Sequence, residues 1–311
     1  MKIVFMGTPD FAVDALEAII QAGHEITCVV TQPDKPKGRG KEMQFPPVKE
    51  CAIQHNLPVF QPVKIKTPEA IETLKTYDAD IYVVAAFGQI LSQEILDMPK
   101  YGCVNIHASL LPKYRGSAPI QWAIINGETE TGVTIQQMNA GVDTGDILCK
   151  AIVPIAAKET GASLFDKLSE AGAKLIVEAL KQIEAGTLIA EPQDDSQATH
   201  AKMLTKSLGH IDWTQSAVTI ERLIRGLNSW PSAYTSLRGK TLKIWEADVA
   251  EDVQEQKGTP GTVIGVTKDA IVVQTGEGVL QLSNIQLEGK KRMTVKDFLL
   301  GYKVEPGEQL G

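Results

Sequence analysis

No stretch of this 311-residue chain approaches the roughly 20 consecutive apolar residues that a membrane-spanning helix needs. The opening Met-Lys-Ile-Val-Phe-Met-Gly is too short and too soon broken for a signal peptide; it fits a first β-strand, and the cytoplasm is the expected compartment. The chain also lacks any Cys-x-x-Cys pair. Its four cysteines, Cys28, Cys51, Cys103 and Cys149, have no histidine partners in metal-site rhythm. Cys28, Cys103 and Cys149 lie in apolar, strand-like runs, so reduced core thiols are expected, with neither a disulfide framework nor a zinc site. Gly-x-Gly-x-x-Gly is absent too, which removes the usual support for a dinucleotide site. The lone glycine of Gly7-Thr8-Pro9-Asp10 reads as part of a turn, with Asp10 as the cap of the next helix. There is no internal repeat and no low-complexity tract.

What is present is ordinary for a soluble globular enzyme: 43% apolar and 22% charged residues, on a length that favours two domains. Net charge is −7, which on its own argues against nucleic acid. The charge is uneven. Residues 1–201 hold 17 Lys and Arg against 25 Asp and Glu, and residues 202–311 hold 14 against 13. A near-neutral C-terminal segment beside an acidic one leaves room for a local basic face.

Short apolar runs alternate with helical patterns through the first half. Strands are expected at Lys2–Met6, Glu25–Thr31, Pro58–Phe60, Asp80–Ala86 and Gly102–Ile106. Helices are expected at Phe11–Ala22, Pro47–His55, Glu69–Thr76, Ser92–Leu96 and Ala118–Asn126. This alternation predicts a Rossmann-like, mainly parallel α/β sheet with helices on both faces. Two more strands, Val133–Met138 and Ile147–Pro154, precede the longest periodic helix, Ala162–Ile183. The pattern fades from 187 to 208, around Pro192-Gln-Asp-Asp-Ser196, which reads as an exposed connector between a domain at 1–186 and one at 209–311. After a helix at Ala217–Leu227 come five short strands, at Tyr234–Leu237, Thr241–Ala247, Gly261–Val266, Ala270–Gln274 and Val279–Glu288. With their glycine-rich turns they suggest a small OB-like β-barrel.

One constellation points to chemistry. Asn105 and His107 stand at the end of the Gly102–Ile106 strand, and Asp143 lies in the turn between the two later strands. In open α/β sheets ligands bind at the carboxyl ends of strands. Two residues apart on a continuing strand, Asn105 and His107 share a face. An amide, an imidazole and a carboxylate suit acyl transfer to an amine. Asn105 and His107 can donate to the tetrahedral oxyanion, where one donor is worth roughly 3–4 kcal/mol, and Asp143 can hold the imidazole's charge or relay a proton. The Ser109–Pro112 stretch is next in the chain, and its backbone amides could hydrogen-bond a flat heterocycle. Each residue also has a plainer reading: a satisfied polar pair for Asn105 and His107, a turn residue for Asp143, and a solvated bend for Lys113-Tyr114-Arg115. Two basic clusters are ambiguous in the same way. Lys35, Lys37, Arg39 and Lys41, in a Pro- and Gly-rich loop after the second strand, form either a solvated loop or an arm for phosphates; so do Lys290, Lys291 and Arg292.

Taken together, Asn105-Ile-His107-Ala-Ser-Leu-Leu-Pro-Lys-Tyr-Arg-Gly-Ser-Ala-Pro119 and Asp143 resemble the folate-dependent formyltransferase family. Gly7-Thr-Pro-Asp-Phe, Thr31-Gln-Pro-Asp-Lys-Pro-Lys-Gly-Arg-Gly-Lys41, Ile211-Asp-Trp213 and Asn228-Ser-Trp-Pro231 extend the resemblance over nearly the whole chain. It implies 10-formyltetrahydrofolate as donor and co-substrate, with no metal, and the α-amino group of initiator methionyl-tRNA as acceptor. It implies that Asn105, His107 and Asp143 are catalytic, that Ser109, Leu110, Leu111 and Pro112 bind tetrahydrofolate, and that the Arg39 loop and the C-terminal barrel hold tRNA. A monomer is expected. Ala108 departs from the glycine common after the histidine, a small change. Two rivals remain: a formyltransferase acting on a sugar-nucleotide amine, and a non-catalytic tRNA-binding protein. The 35–41 basic loop favours tRNA over a sugar nucleotide.

Overall fold

The structure, a computed structural model, describes residues 1–37, 42–250 and 258–311. They form two compact units. The first comprises 1–119, 130–154 and 165–201; the second comprises 120–129, 155–164 and 202–311.

The strands of the first unit are β1 (Lys2–Gly7), β2 (Glu25–Val30), β3 (Lys35–Lys37), β4 (Glu42–Gln44), β5 (Val59–Phe60), β6 (Ile81–Ala85), β7 (Cys103–His107), β8 (Arg115–Gly116), β9 (Glu130–Gln137), β10 (Ile147–Pro154) and β11 (His200–Ala201). Seven of them make one sheet in the order β10-β9-β7-β6-β1-β2-β5. The pairs from β5 to β7 are parallel; β7 with β9 and β9 with β10 are antiparallel. The central strands are apolar without alternation, as strands covered on both faces must be. β1 has its last five residues buried, and β6 is buried throughout. The connecting helices are α1 (Val13–Gln21), α2 (Pro47–Gln54), α3 (Pro68–Lys75), α4 (Gln93–Leu96), α5 (Pro119–Ile125) and α6 (Gly161–Ala185). The chain leaves β1 for β2 on one side and returns to β6 on the other. That reversal leaves a crevice at the carboxyl ends of β1 and β6.

Three loops meet there. Thr8 Oγ1 donates to the Phe87 carbonyl at 3.0 Å and accepts from the Gln32 amide at 3.3 Å; Gln32 Nε2 donates to the same carbonyl at 3.1 Å. Gly7 makes the approach possible, since a Cβ there would lie 2.7 Å from the Ala12 Cβ and 3.0 Å from the Ala85 carbonyl oxygen. Asp10 begins a short 3-10 turn but does not cap it through its side chain; the preceding Pro9 holds that position.

Two expectations need correction. The 35–41 stretch is not wholly loop: β3 pairs antiparallel with β4 as a two-stranded ribbon. Pro36 is tolerated because such a ribbon has free edges. Arg39 and Lys41 lie outside the described residues. Nor is 187–208 merely a connector. β11 pairs with β8, and residues between Gln193 and Ala201 bond to the 114–117 segment. These contacts are made one side chain at a time, so they leave no periodic trace.

Burial pushes the thiols of Cys28 and Cys149 up to about 11, and burial with the Glu17 carboxylate beside it pushes Cys51 up to about 12. Cys103 is pushed up by burial as well. All four are therefore neutral thiols at pH 7, as apolar surroundings dictate.

The second unit takes most of α5 and the start of α6 from the segments above, and its C-terminal stretch begins with α7 (Ala217–Gly226), whose first turn is capped by Ser216 Oγ on the Thr219 amide; the cap is worth about 1 kcal/mol. Strands β12 (Ala233–Leu237), β13 (Lys240–Val249), β14 (Val263–Val266), β15 (Ile271–Gln274), β16 (Val279–Leu287) and β17 (Met293–Thr294) precede α8 (Val295–Gly301). The sheet runs β12-β13-β16-β15-β14, antiparallel throughout, with β17 off β16. Its core includes Trp213, Ile220, Ile244, Leu282 and Phe298, and the Trp213 indole N–H is satisfied by Thr235 Oγ1 at 3.0 Å. The last residues lace the two outer strands together. Gly307 donates to Val263, Leu310 to Gly261, and Gly311 to Ser236. Edge strands are thus covered rather than left open. Among the described residues no helix is long and apolar enough to cross a membrane.

Candidate active site

Asn105 and His107 project from the same face of β7. Across the ladder their partners on β9 are Gln136 and Thr134. The turn after β9 brings back Asp143, held at φ 53°. Gly145 lets the turn close: a Cβ on it would lie 1.7 Å from the Gln137 carbonyl oxygen.

The Asp143 carboxylate is the hub. Its Oδ1 accepts from Gln136 Nε2 at 2.9 Å and from Asn105 Nδ2 at 3.4 Å, and lies 3.5 Å from His107 Nδ1. Its Oδ2 accepts from the Gly116 amide at 2.9 Å. His107 is buried, and its Nε2 lies 2.9 Å from the Tyr114 carbonyl oxygen. A carbonyl can only accept, so Nε2 carries a proton. Nδ1, facing Asp143, then holds either the ring's lone pair or the second proton of an imidazolium. The Gln136 Oε1 atom is buried without a hydrogen-bond partner among the described residues. An unmet buried acceptor costs roughly 1–3 kcal/mol, which a donor from water or substrate would recover.

Behind the hub is a support that sequence reasoning missed. Gln193 Nε2 donates to the carbonyls of Asp143 at 2.9 Å and Gly145 at 2.6 Å. Its Oε1 accepts from Arg115 Nε and Nη2, and Arg115 also pairs with Asp195 at 2.7 Å. Tyr114, at φ 59°, donates its amide to Thr199 Oγ1. Tyr114 and Arg115 are buried, so 113–115 is not a solvated bend; only Lys113 in it is exposed. Their backbone groups pair with 199–201, and that removes them from water.

The Ser109–Pro112 stretch is internally tied. The Ser109 hydroxyl donates to the Lys113 carbonyl at 2.6 Å, and Thr134 Oγ1 donates to the Ser109 carbonyl and accepts from the Leu111 amide. The Ser109 amide is taken by the His107 carbonyl, and the Leu111–Pro112 peptide is cis. Leu110 and Pro112 stay partly exposed while Leu111 is buried. The amides of Ser109 and Leu111 are thus not open to a heterocycle, contrary to expectation.

A cavity of about 490 Å³ lies beside the β1 and β2 ends, lined by Thr8, Gln32, Lys35, Phe45, Pro46 and Glu50 among others. Lys35 is exposed at its rim. In the second unit Lys290 and Lys291 are exposed, whereas Arg292 is engaged. It bonds to Glu246 Oε1 at 2.7 Å and Asn284 Oδ1 at 3.0 Å and sits 4.9 Å from the Trp245 ring centre.

The family profile described as formyl transferase matches residues 1–180, and that of the formyl transferase C-terminal domain matches 203–303. The chain belongs to the formyltransferase family. A methionyl-tRNA formyltransferase of Agathobacter rectalis is 60% identical over 307 residues, covering 99% of this chain and 98% of that one. Another, of Lachnospira eligens, is 54% identical and covers both chains entirely. Among solved formyltransferase structures, an N-formyltransferase of Helicobacter canadensis in complex with folinic acid and dTDP-3-aminofucose is 21% identical. It covers 91% of this chain and 98% of that one at a TM-score of 0.68. That likeness is one of fold. Within this formyltransferase, the site stands at the carboxyl end of β7, with Asp143 supplied by the turn after β9.

Proposed function

We propose that the protein transfers the formyl group of 10-formyltetrahydrofolate to the α-amino group of initiator methionyl-tRNA. The observation that carries this reading is the convergence of Asn105, His107 and Asp143 in a chain that matches methionyl-tRNA formyltransferases from end to end. The amine nitrogen attacks the formyl carbon. A C–N bond forms, the carbonyl oxygen becomes an oxyanion, and the bond to N10 of the folate then breaks. The amine gives up one proton and N10 gains one. Asn105 Nδ2 and the protonated Nδ1 of His107 are the donors for the oxyanion. Asp143 stabilises the imidazolium and receives or relays the amine proton. The partly exposed side chains of Leu110 and Pro112 meet the folate ring. No step calls for a metal. The first unit, with Gln193, Asp195 and Thr199 of the 187–208 stretch built into it, is the catalytic part, and the OB-like part at 209–311 carries tRNA with Lys290 and Lys291. Lys35, Lys37, Arg39 and Lys41 supply the other phosphate contacts.

Purified protein with 10-formyltetrahydrofolate and charged initiator tRNA is expected to give formylmethionyl-tRNA. The same assay with a dTDP-amino sugar is expected to give nothing measurable. Formylation of the sugar alone would replace this reading by the sugar-nucleotide one, and no product with either acceptor would leave a tRNA-binding protein.

Gln193 is a positioning residue. Gln193→Ala removes two hydrogen bonds from the Asp143 turn and leaves the buried Arg115 without its amide partner. Single-turnover formyl transfer is expected to fall about 10–100-fold, since displacements near 1 Å have effects of that size. KM for folate should stay within about threefold. A loss confined to KM would move Gln193 from positioning to binding.

A further inference from the structure

Against the expectation that no cysteine has a histidine partner in metal-site rhythm, Cys51 on α2 and His55 at its C-terminal cap are four residues apart, one helical turn, and the structure adds a third group. Glu17, on α1, reaches both. Its Oε1 accepts from Cys51 Sγ at 3.2 Å and lies 2.9 Å from His55 Nε2. The three donor atoms all lie within 4.8 Å of one another. We propose that Glu17, Cys51 and His55 form a binding site for a zinc-class divalent cation that fastens α2 to α1.

The geometry suits a tetrahedral ion. Bonds of about 2.1 Å to nitrogen and oxygen and about 2.3 Å to sulfur put ligand atoms about 3.3–3.6 Å apart. The two pairs made by Glu17, at 3.2 Å to Cys51 Sγ and 2.9 Å to His55 Nε2, need open by only about 0.4–0.5 Å on that basis, and the Cys51–His55 pair lies within 4.8 Å. The charges balance as well: a carboxylate and a thiolate neutralise a divalent ion, and the imidazole binds neutral. A bound ion deprotonates a coordinating thiol outright, so the Cys51 S–H proton leaves to solvent as the metal enters. The side chains of Glu17 and His55 are each about a third exposed, at 32% and 33%, while Cys51 is buried. The fourth position therefore faces water. A mixed sulfur, nitrogen and oxygen set selects zinc or cobalt over magnesium or calcium, which take oxygen alone.

The location gives the ion a consequence. Glu50, next to Cys51, and Pro46 and Pro47 at the start of α2 line the cavity beside Thr8, Gln32 and Lys35. An ion clamping α2 steadies that wall.

The test titrates the chelator-treated full chain with Co2+. One equivalent is expected to bind, with tetrahedral visible bands and an ultraviolet thiolate-to-cobalt band. Cys51→Ser and, at the more exposed ligand, His55→Gln should abolish the thiolate-linked spectrum, while Cys149→Ser should leave it intact. Zn2+ at about a hundredfold over its Kd should raise Tm by about 5–10 °C in wild type only. A pale octahedral spectrum without a thiolate band overturns the site. So does a band that survives Cys51→Ser or vanishes in Cys149→Ser.

Discussion

Asp143→Asn is expected to lower single-turnover formyl transfer by about three to four orders of magnitude. The substitution keeps shape and removes charge. Gln136 Nε2, Asn105 Nδ2 and the Gly116 amide all donate to this one carboxylate. An amide offers a single acceptor oxygen, so whichever way it turns, its NH2 faces a donor. The His107 ring loses the carboxylate that lies 3.5 Å from its Nδ1 at the same time. A buried unmet donor costs roughly 1–3 kcal/mol. For a unit of this size that lowers Tm by about 2–10 °C, a modest effect beside the kinetic one. Folate affinity, measured by calorimetry, should stay within about threefold, because the proposed reading has the folate ring meet Leu110 and Pro112 and not this carboxylate. A rate within tenfold of wild type would remove Asp143 from the reaction.

The contrast between Asp143 and its support shows where a sequence is readable. β1 and β6 are near-continuous apolar runs and β7 is one broken by Asn105 and His107, each between turn signals, and the structure has them within a residue or two of the expected bounds. Asn105 and His107 sit on one β7 face because period two is built into any strand. Asp143 between glycines was identifiable as a turn, and Gly145 shows why glycine is needed there. Gln193, Arg115 and Thr199 carry no such mark. A glutamine in a Pro- and Asp-rich stretch looks solvated until the fold lays it against the 143–145 carbonyls. Glu17 with Cys51 and His55 is the same case on the helical side. The i, i+4 pair lies on one helix, but its third member comes from 34 residues earlier, by way of α1 packing on α2. The β3–β4 ribbon was hidden for a local reason: Lys-Pro-Lys has poor strand character, and only its partner at 42–44 makes it one.

His107→Ala should be nearly as damaging, lowering the single-turnover rate about a hundredfold to ten-thousandfold. The ring is fixed at both nitrogens, Nε2 to the Tyr114 carbonyl at 2.9 Å and Nδ1 beside Asp143 at 3.5 Å. Tyr114, at φ 59°, is itself held by the hydrogen bond that its amide donates to Thr199 Oγ1. The imidazole thus has no freedom to swing, and its reactive edge is Nδ1. Alanine opens a ring-sized hole beside Asp143 and removes the Nε2 donor from the Tyr114 carbonyl. Added imidazole should refill it and restore part of the rate. The decisive measurement uses a set of substituted imidazoles of similar size and different basicity. If His107 carries charge to the oxyanion or moves a proton, the rescued rate follows the basicity of the added base. If the ring only fills space and braces Tyr114, every base that fits rescues equally, and the catalytic assignment falls. Asp143→Asn supplies the cross-check. With the carboxylate gone, an imidazolium at this position has no partner, so rescue of the double variant should fall well short of rescue in His107→Ala alone. Equal rescue in both backgrounds would mean that the two residues act independently, against the 3.5 Å contact that joins them.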